Sequence, residues 1–284
     1  MIDLKGNLIK EIINFPFGIT STAFSPDGKI ILAGSTDGVA RLWDLNGNLM
    51  KELKDHSNLV NAVAFSHDGK TILTGSKDKT ARLWNVEGNI LQILNGHSGA
   101  VNAVAFSPDG KTILTGSDDG TARLWQLNGN MLQELKGLEG PIRCVAFSPD
   151  GKMILTGSDI PGTDDGTPRL WDLKGNVLQE FKGHYGVIGC MAFSPDGKKI
   201  FIGARNSEEK NIARLWDLNG NIIKEYRKLL RQPNSATFSS DGKTILIENA
   251  FPCLLDAPLS LGDFLKSDRI PPLSLVQKKQ FRIE

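Results

Sequence analysis

One ten-residue motif recurs five times along this chain. The copy "TARLWQLNGN" spans 121–130, and its relatives lie at 39–48, 80–89, 167–176 and 212–221. A second motif, typified by "AFSPDG", brings a Phe at positions 24, 65, 106, 147, 193 and 238, so that successive copies are 41 to 46 residues apart. Self-similarity at such a period indicates a repeat architecture in which each unit buries its apolar face against its neighbours. This period constrains the fold more strongly than the composition does.

Each unit contains four β-prone segments separated by turn signals. In the third unit these segments are "VNAVAFS" at 101–107, "TILTGS" at 112–117, "ARLWQL" at 122–127 and "MLQELKG" at 131–137. The intervening "PDGK", "DDGT" and "NG" supply the residues that tight turns need. Four short antiparallel strands per unit predict an all-β fold, a β-propeller of four-stranded antiparallel blades.

The chain resembles the WD-repeat family over residues 1–256. The matching marks are "GH" at 96–97 and 183–184, "SxDxT" at 76–80 and 117–121, and the Trp-Asp pairs at 43–44, 171–172 and 216–217. The low divergence between units two and three, together with the C-terminal extension, also resembles bacterial WD-repeat sensor regions attached to signalling NTPases or kinases. The resemblance implies a non-catalytic scaffold or sensor that displays loops to a protein or peptide.

The resemblance also implies a buried hydrogen-bond network in several blades. In the family, the Trp indole N–H is accepted by a Ser or Thr of the second strand, which bonds a His that in turn bonds an Asp. Thr and Ser stand on one strand face, which leaves the choice of hydroxyl open. Carried onto this sequence, the network residues are His56, Thr74 or Ser76, Asp78 and Trp84; His97, Thr115 or Ser117, Asp119 and Trp125; and His184 with Trp216.

Counting strands predicts six blades within residues 1–256. The last unit has no fourth strand of its own, whereas "GNLIKEI" at 6–12 has the fourth-strand pattern and is expected to pair on the outside of that blade. Leu255 would take the Trp place in the last third strand. Seven blades are commoner in the family, so the alternatives are a missing blade or a fragment of a larger polypeptide. Residues 257–284 are predicted to form a separate tail with two short amphipathic helices, which either packs on the propeller or docks another protein.

The composition excludes several function classes. With 33 Lys and Arg against 32 Asp and Glu, the net charge is +1, so neither nucleic acid nor a membrane surface is an expected partner. No apolar run reaches bilayer-spanning length, and the charged start lacks a signal-peptide core. The three cysteines are too few for a disulfide framework. These features predict a cytoplasmic protein.

Metal and cofactor chemistry finds no support in the sequence. Three of the four His occupy repeat positions, and no His, Cys or carboxylate cluster has metal-ligand spacing. We therefore expect neither a metal nor a cofactor. An Arg stands two residues before each Trp, at 41, 82, 123, 169 and 214. A salt bridge repeated within each blade explains this better than a ring-shaped anion site.

Two function classes remain, an interaction scaffold and a propeller enzyme or small-ligand binder at the mouth of the central channel. The residues expected at that mouth are mostly neutral, which favours the scaffold: Thr20, Asn61, Asn102, Arg143, Gly189 and Asn234. Departures from the repeat concentrate in units four and five, at the end where the second strand leads to the third. We expect the partner there, although neutral drift in surface loops gives the same pattern. The candidate partner-binding residues are Leu138, Arg143, Ile160, Tyr185 and Arg205.

Overall fold

A computed structural model describes residues 17–138, 140–158, 167–183, 187–205, 211–227, 229, 234–248 and 253–257. Within these ranges the chain forms 23 β-strands and no helix. The strands make five sheets of four and one of three, every pair antiparallel. The predicted all-β architecture of antiparallel blades is confirmed. The expected strand at 6–12 and the helices expected in the tail lie outside the described residues.

The strands follow the repeat in chain order, one unit to a sheet. Sheet one contains β1 (Ile19–Phe24), β2 (Ile30–Ser35), β3 (Val39–Asp44) and β4 (Leu49–Lys54). Sheet two contains β5 (Val60–Phe65), β6 (Thr71–Ser76), β7 (Ala81–Asn85) and β8 (Ile90–Leu94). Sheet three contains β9 (Val101–Phe106), β10 (Thr112–Ser117), β11 (Ala122–Gln126) and β12 (Met131–Leu135). Sheet four contains β13 (Ile142–Phe147), β14 (Met153–Ser158), β15 (Arg169–Asp172) and β16 (Val177–Glu180). Sheet five contains β17 (Val187–Phe193), β18 (Lys199–Arg205), β19 (Ile212–Asp217) and β20 (Ile222–Tyr226). Sheet six contains β21 (Ser235–Phe238), β22 (Thr244–Glu248) and β23 (Cys253–Asp256).

The "SPDGK" turn between first and second strands is held by its own side chains. In sheet three, Ser107 Oγ donates to Asp109 at 2.6 Å, and the backbone N–H of Lys111 donates to the same carboxylate oxygen at 3.1 Å. Gly110 has φ of 69°, a left-handed conformation that glycine adopts without strain. These local bonds explain why the strands begin and end at the same places in each unit.

The hydrophobic core lies between consecutive sheets. Five clusters of described residues each join two neighbouring sheets. In one of them, Leu114 and Leu135 of sheet three pack with Ile142 and Trp171 of sheet four. Gly116 permits this approach, because a Cβ there would lie 2.7 Å from Ile142 Cγ2. Each blade therefore depends on its neighbour for burial, as expected of a repeat fold.

The first strands of all six sheets line one cavity of about 710 Å³. Loops from second to third strands and from fourth to first strands emerge at one end, which we call the loop end. The tight turns emerge at the other, the turn end. In sheet six, Ile245 pairs with Leu255 as Ile113 pairs with Trp125, so Leu255 takes the Trp place as predicted. None of the described segments is a helix long and apolar enough to cross a bilayer.

Candidate partner-binding site at the cavity mouth

The mouth of the cavity is shaped by a β-bulge at the start of each first strand in sheets one to five. The pairing register shifts there by one residue. Bulges redirect single side chains without unravelling a ladder, and they are common beside functional sites. The bulged residues line the cavity and include the predicted mouth positions: Thr20, Asn61, Asn102, Arg143 and Gly189.

Three of these residues fasten one blade to the next. Asn61 Nδ2 donates to the carbonyl of Val101 at 3.0 Å, and Asn102 Nδ2 donates to the carbonyl of Ile142 at 3.2 Å. The Thr20 hydroxyl donates to the Val60 carbonyl in the same way. The amides at these positions therefore act as clamps between first strands.

Arg143 departs from the clamp pattern. Its Nη1 lies 3.0 Å from Asp118 Oδ1, an oxygen that also accepts from Asn102 Nδ2 at 2.7 Å. The side chains of Arg143 and Asp118 are 36% and 38% exposed, so both charged groups are in partial contact with solvent. The next bulged residue is Gly189, which carries no side chain. Among the bulged residues, the single charged side chain therefore neighbours the position without one.

The other predicted partner-binding residues do not all join this sector. Leu138 does not fit the set, because its side chain is only 7% exposed and packs with Ile142 and Trp171. Ile160 and Tyr185 lie outside the described residues. Arg205 ends β18, where its backbone pairs with Val187, and its side chain also lies outside them. Arg143 alone is placed at the mouth with a described side chain.

The predicted buried network is assembled in blades two and three. Trp84 Nε1 donates to Thr74 Oγ1 at 2.9 Å, and His56 contacts Thr74 at 2.7 Å and Asp78 at 2.7 Å. In blade three the corresponding Trp–Thr, His–Thr and His–Asp distances are 2.9, 2.8 and 2.8 Å. Thr, rather than Ser, is therefore the hydroxyl in both blades. Ser76 and Ser117 instead accept from the N–H of Asp78 and Asp119 in the loop.

The proton positions of this network follow from Asp119, because an ionised carboxylate can only accept hydrogen bonds. Burial lowers the pKa of His97, so the imidazole is neutral; Nδ1–H donates to Asp119 and Nε2 accepts from the Thr115 hydroxyl. The hydroxyl oxygen is then free to accept from Trp125. Burial raises the pKa of Asp119, but hydrogen bonds from Thr121 and His97 outweigh it and bring that pKa to about 2. Each hydrogen bond from Trp125 through Thr115 and His97 to Asp119 therefore has one defined donor and one defined acceptor.

The remaining blades retain only parts of this network. Blade four keeps the Trp171 to Thr156 bond at 2.8 Å, with Leu138 at the His position. Blade one has Ala33 where Thr stands in blades two to four. In blade five the ring of Phe181 contacts Trp216 edge-on with centroids 5.6 Å apart, and His184 lies outside the described residues. Phe181 was not singled out from sequence, although units one to three carry Leu at its position and only unit five has another aromatic there, Tyr226.

The repeated Arg forms the predicted salt bridge within most blades. Four of the five pair with a Glu of the adjacent outer strand, as Arg123 does with Glu134 at 2.7 Å. Blade two has Ile93 at the Glu position. There Arg82 bonds Asp55 at 2.8 Å and Asp78 at 2.9 Å instead. All five Arg side chains are therefore engaged in ion pairs within the protein, which argues against a ring-shaped anion site.

The Asp119, His97 and Thr115 chain has the connectivity of a hydrolase triad, but its surroundings differ. Thr115 is fully buried and already receives the Trp125 N–H, so no substrate carbonyl can reach it. Burial raises the pKa of the Cys144 thiol, which lines the cavity, to about 12, so it is protonated at neutral pH. Within the described ranges, no three His, Cys, Asp or Glu residues lie close enough together to hold a metal ion.

Comparison with known proteins bears on the fold. No curated protein matches the chain. A family model described as the IFT122 first beta-propeller matches residues 18–250. That match spans most of the chain and covers sheets one to five and the first two strands of sheet six. The chain belongs to the IFT122 first beta-propeller family.

Proposed function

We propose that this chain is a non-catalytic interaction scaffold or sensor that binds a protein or peptide at the loop-end mouth, in the sector around Arg143. The observation that carries the proposal is the exposed ion pair of Arg143 with Asp118, at a position that clamps neighbouring blades elsewhere in the ring. β-Propellers commonly mediate protein–protein interactions, and exposed Arg is enriched among interface anchors.

Two further features support this sector. In the sequence, the inserted residues of units four and five, 159–164 and 205–211, fall between the second-strand and third-strand segments. Gly189, the bulged residue of the next blade after Arg143, also lines the cavity and carries no side chain. A ligand that donates to Asp118 and accepts from Arg143, as a peptide backbone does, matches both groups of the pair.

The absence of catalysis is part of the proposal. Thr115 of the buried network and Cys144 of the cavity lining are each held in an unreactive state. Thr115 is buried in its network, and the raised pKa of Cys144 keeps its thiol protonated. These properties fit a cavity that serves as a binding surface rather than as an active site.

The test begins with affinity capture on the intact chain and identification of the retained protein by mass spectrometry. Binding of that partner is then compared between the parent, Arg143→Asn and Arg227→Ala. The Asn variant installs the clamp residue of blades two and three, so the fold should be kept while affinity falls about tenfold or more. Arg227 is 64% exposed on the outer edge, and its removal should leave binding unchanged. Equal affinity of Arg143→Asn and the parent would overturn the proposal.

A further inference from the structure

The turn end of the ring carries apolar side chains that neither the core nor the cavity mouth uses. In blade three, Leu127 of the turn after β11 is 38% exposed, and Met131 and Leu132 at the start of β12 are 51% and 48% exposed. In blade four the equivalent Leu173, Val177 and Leu178 are 44%, 46% and 50% exposed. Blades one, two and five also have only Leu, Val, Ile or Met at these three positions. We call these residues the turn-end ring.

The turn-end ring places apolar side chains, most of them exposed, at the same three positions of each blade from one to five. Single exposed apolar residues are ordinary in folded proteins, whereas contiguous apolar patches mark contact sites. Twelve members are each more than a third exposed. Together they present on the order of 1,000 Å² of apolar surface, so two such surfaces in contact would bury about 2,000 Å², the scale of a stable homodimer interface.

The spacing of the turn-end ring specifies its occupant. The same three positions recur in blade after blade, which sets them at regular intervals around the cavity. A partner that covers all of them at once must repeat its own apolar groups at the same intervals. Another copy of this chain does so, and a two-fold axis sets each patch against a like patch.

The charges of the turn end are compatible with a like partner. Each "DGK" turn carries an Asp beside a Lys, as in Asp150 and Lys152, whose charged atoms are 3.8 Å apart. Both signs alternate around the face, so two copies do not meet as surfaces of one charge.

We propose that two copies of this chain associate turn end to turn end, with one turn-end ring packed on the other. The dimer is symmetric and points its two cavity mouths in opposite directions. It would therefore hold two partner molecules at a fixed separation, which adds bivalence to the function proposed above without depending on it.

The mass of the intact chain in solution tests this proposal. Light scattering coupled to size exclusion, from about 1 to about 100 µM, is expected to give a dimer for the parent. Leu132→Lys with Leu178→Lys alters two side chains that are half exposed, so circular dichroism should be unchanged while the dimer weakens about tenfold or more. Ser57→Lys with Ser98→Lys adds the same charge at exposed positions of the loop end and should leave the dimer intact.

A second readout locates the contact. Oxidation of Met131 by dilute peroxide, followed by peptide mass spectrometry, should slow as the parent becomes dimeric and should not slow in the Leu132→Lys, Leu178→Lys variant. A parent that stays monomeric at about 100 µM overturns the proposal. So does a dimer that both Lys pairs weaken equally, or one in which Met131 is oxidised at the same rate at both concentrations.

Discussion

The indole nitrogen of Trp125 donates a 2.9 Å hydrogen bond to the hydroxyl of Thr115, and both groups are buried. The equivalent bond from Trp84 to Thr74 has the same length. The same hydrogen bond thus recurs in blades two and three, where it joins the third strand to the second.

Replacing Trp125 by Phe removes the donor and keeps most of the ring. We expect the free energy of unfolding to fall by about 1–3 kcal/mol, because a buried hydroxyl loses its partner. Denaturant unfolding of Trp125→Phe, Thr115→Val and the double variant measures this. The two losses should be less than additive, because both variants break the same bond. A loss below about 0.5 kcal/mol for Trp125→Phe would show that the bond adds little.

Acidification should destabilise the fold in two stages. Burial lowers the pKa of His97 and of His56 below the ordinary 6.5. The unfolded chain therefore takes up protons that the native chain refuses, and stability is lost as the pH falls below about 6.5. The Asp119 pKa of about 2, against an ordinary 3.8, adds a further loss below about pH 4.

Unfolding free energies between about pH 8 and about pH 5 check the first stage. The His97→Leu variant, which gives blade three the residue found at position 138 of blade four, should be less stable at pH 8 because it leaves Asp119 without its His. It should also show a shallower fall towards pH 5. Parallel curves for the variant and the parent would exclude His97 as a source of the pH dependence.

Lys79 lies in a left-handed conformation with φ of 74°. The equivalent positions in blades one and three are Gly38 and Gly120, with φ of 82° and 76°. Relief of the side-chain strain, about 1–2 kcal/mol, exceeds the entropic cost of glycine, about 0.5–1 kcal/mol. Lys79→Gly should therefore raise the melting temperature. Lys77→Gly in the same loop, where no such strain exists, should lower it, and equal effects of the two changes would refute this explanation.

The fourth-strand pattern at 6–12 stays a prediction for sheet six, where β23 has no further strand beside it among the described residues. If this segment pairs with β23, deletion of residues 1–13 exposes that edge, lowers the melting temperature and promotes association. Deletion of residues 1–5 removes the preceding charged start but leaves the strand, and it should behave as the parent does. A melting curve unaffected by either deletion would assign 6–12 to another place.

The strand pattern could be predicted because periodic apolar residues and turn residues are local signals. All four segments predicted for unit three contain the observed strands β9 to β12. The hydroxyl of the network could not be assigned in this way. Thr115 and Ser117 share a strand face, and only the cross-strand register, in which Ile113 pairs with Trp125, brings the Thr rather than the Ser within reach of the indole.

The residues that line the cavity mouth could be predicted from the sequence, whereas the contacts between their side chains could not. Arg143 was identified because Asn stands at its position in two other units. Its pairing with Asp118 depends on the bulge and on how one blade sits beside the next, which no local pattern encodes. Leu138 shows the opposite error: a departure from the repeat can mark a repacked core as well as a binding surface.

The bulges at the mouth have a consequence for how such rings diversify. A bulged residue lies outside the regular ladder, so its side chain can be exchanged while the hydrogen-bonded strands keep their register. Around the ring the side chains read Thr20, Asn61, Asn102, Arg143 and Gly189. If partners bind at this mouth as proposed, exchanging one of these side chains would change which partner is bound while the sheets keep their structure.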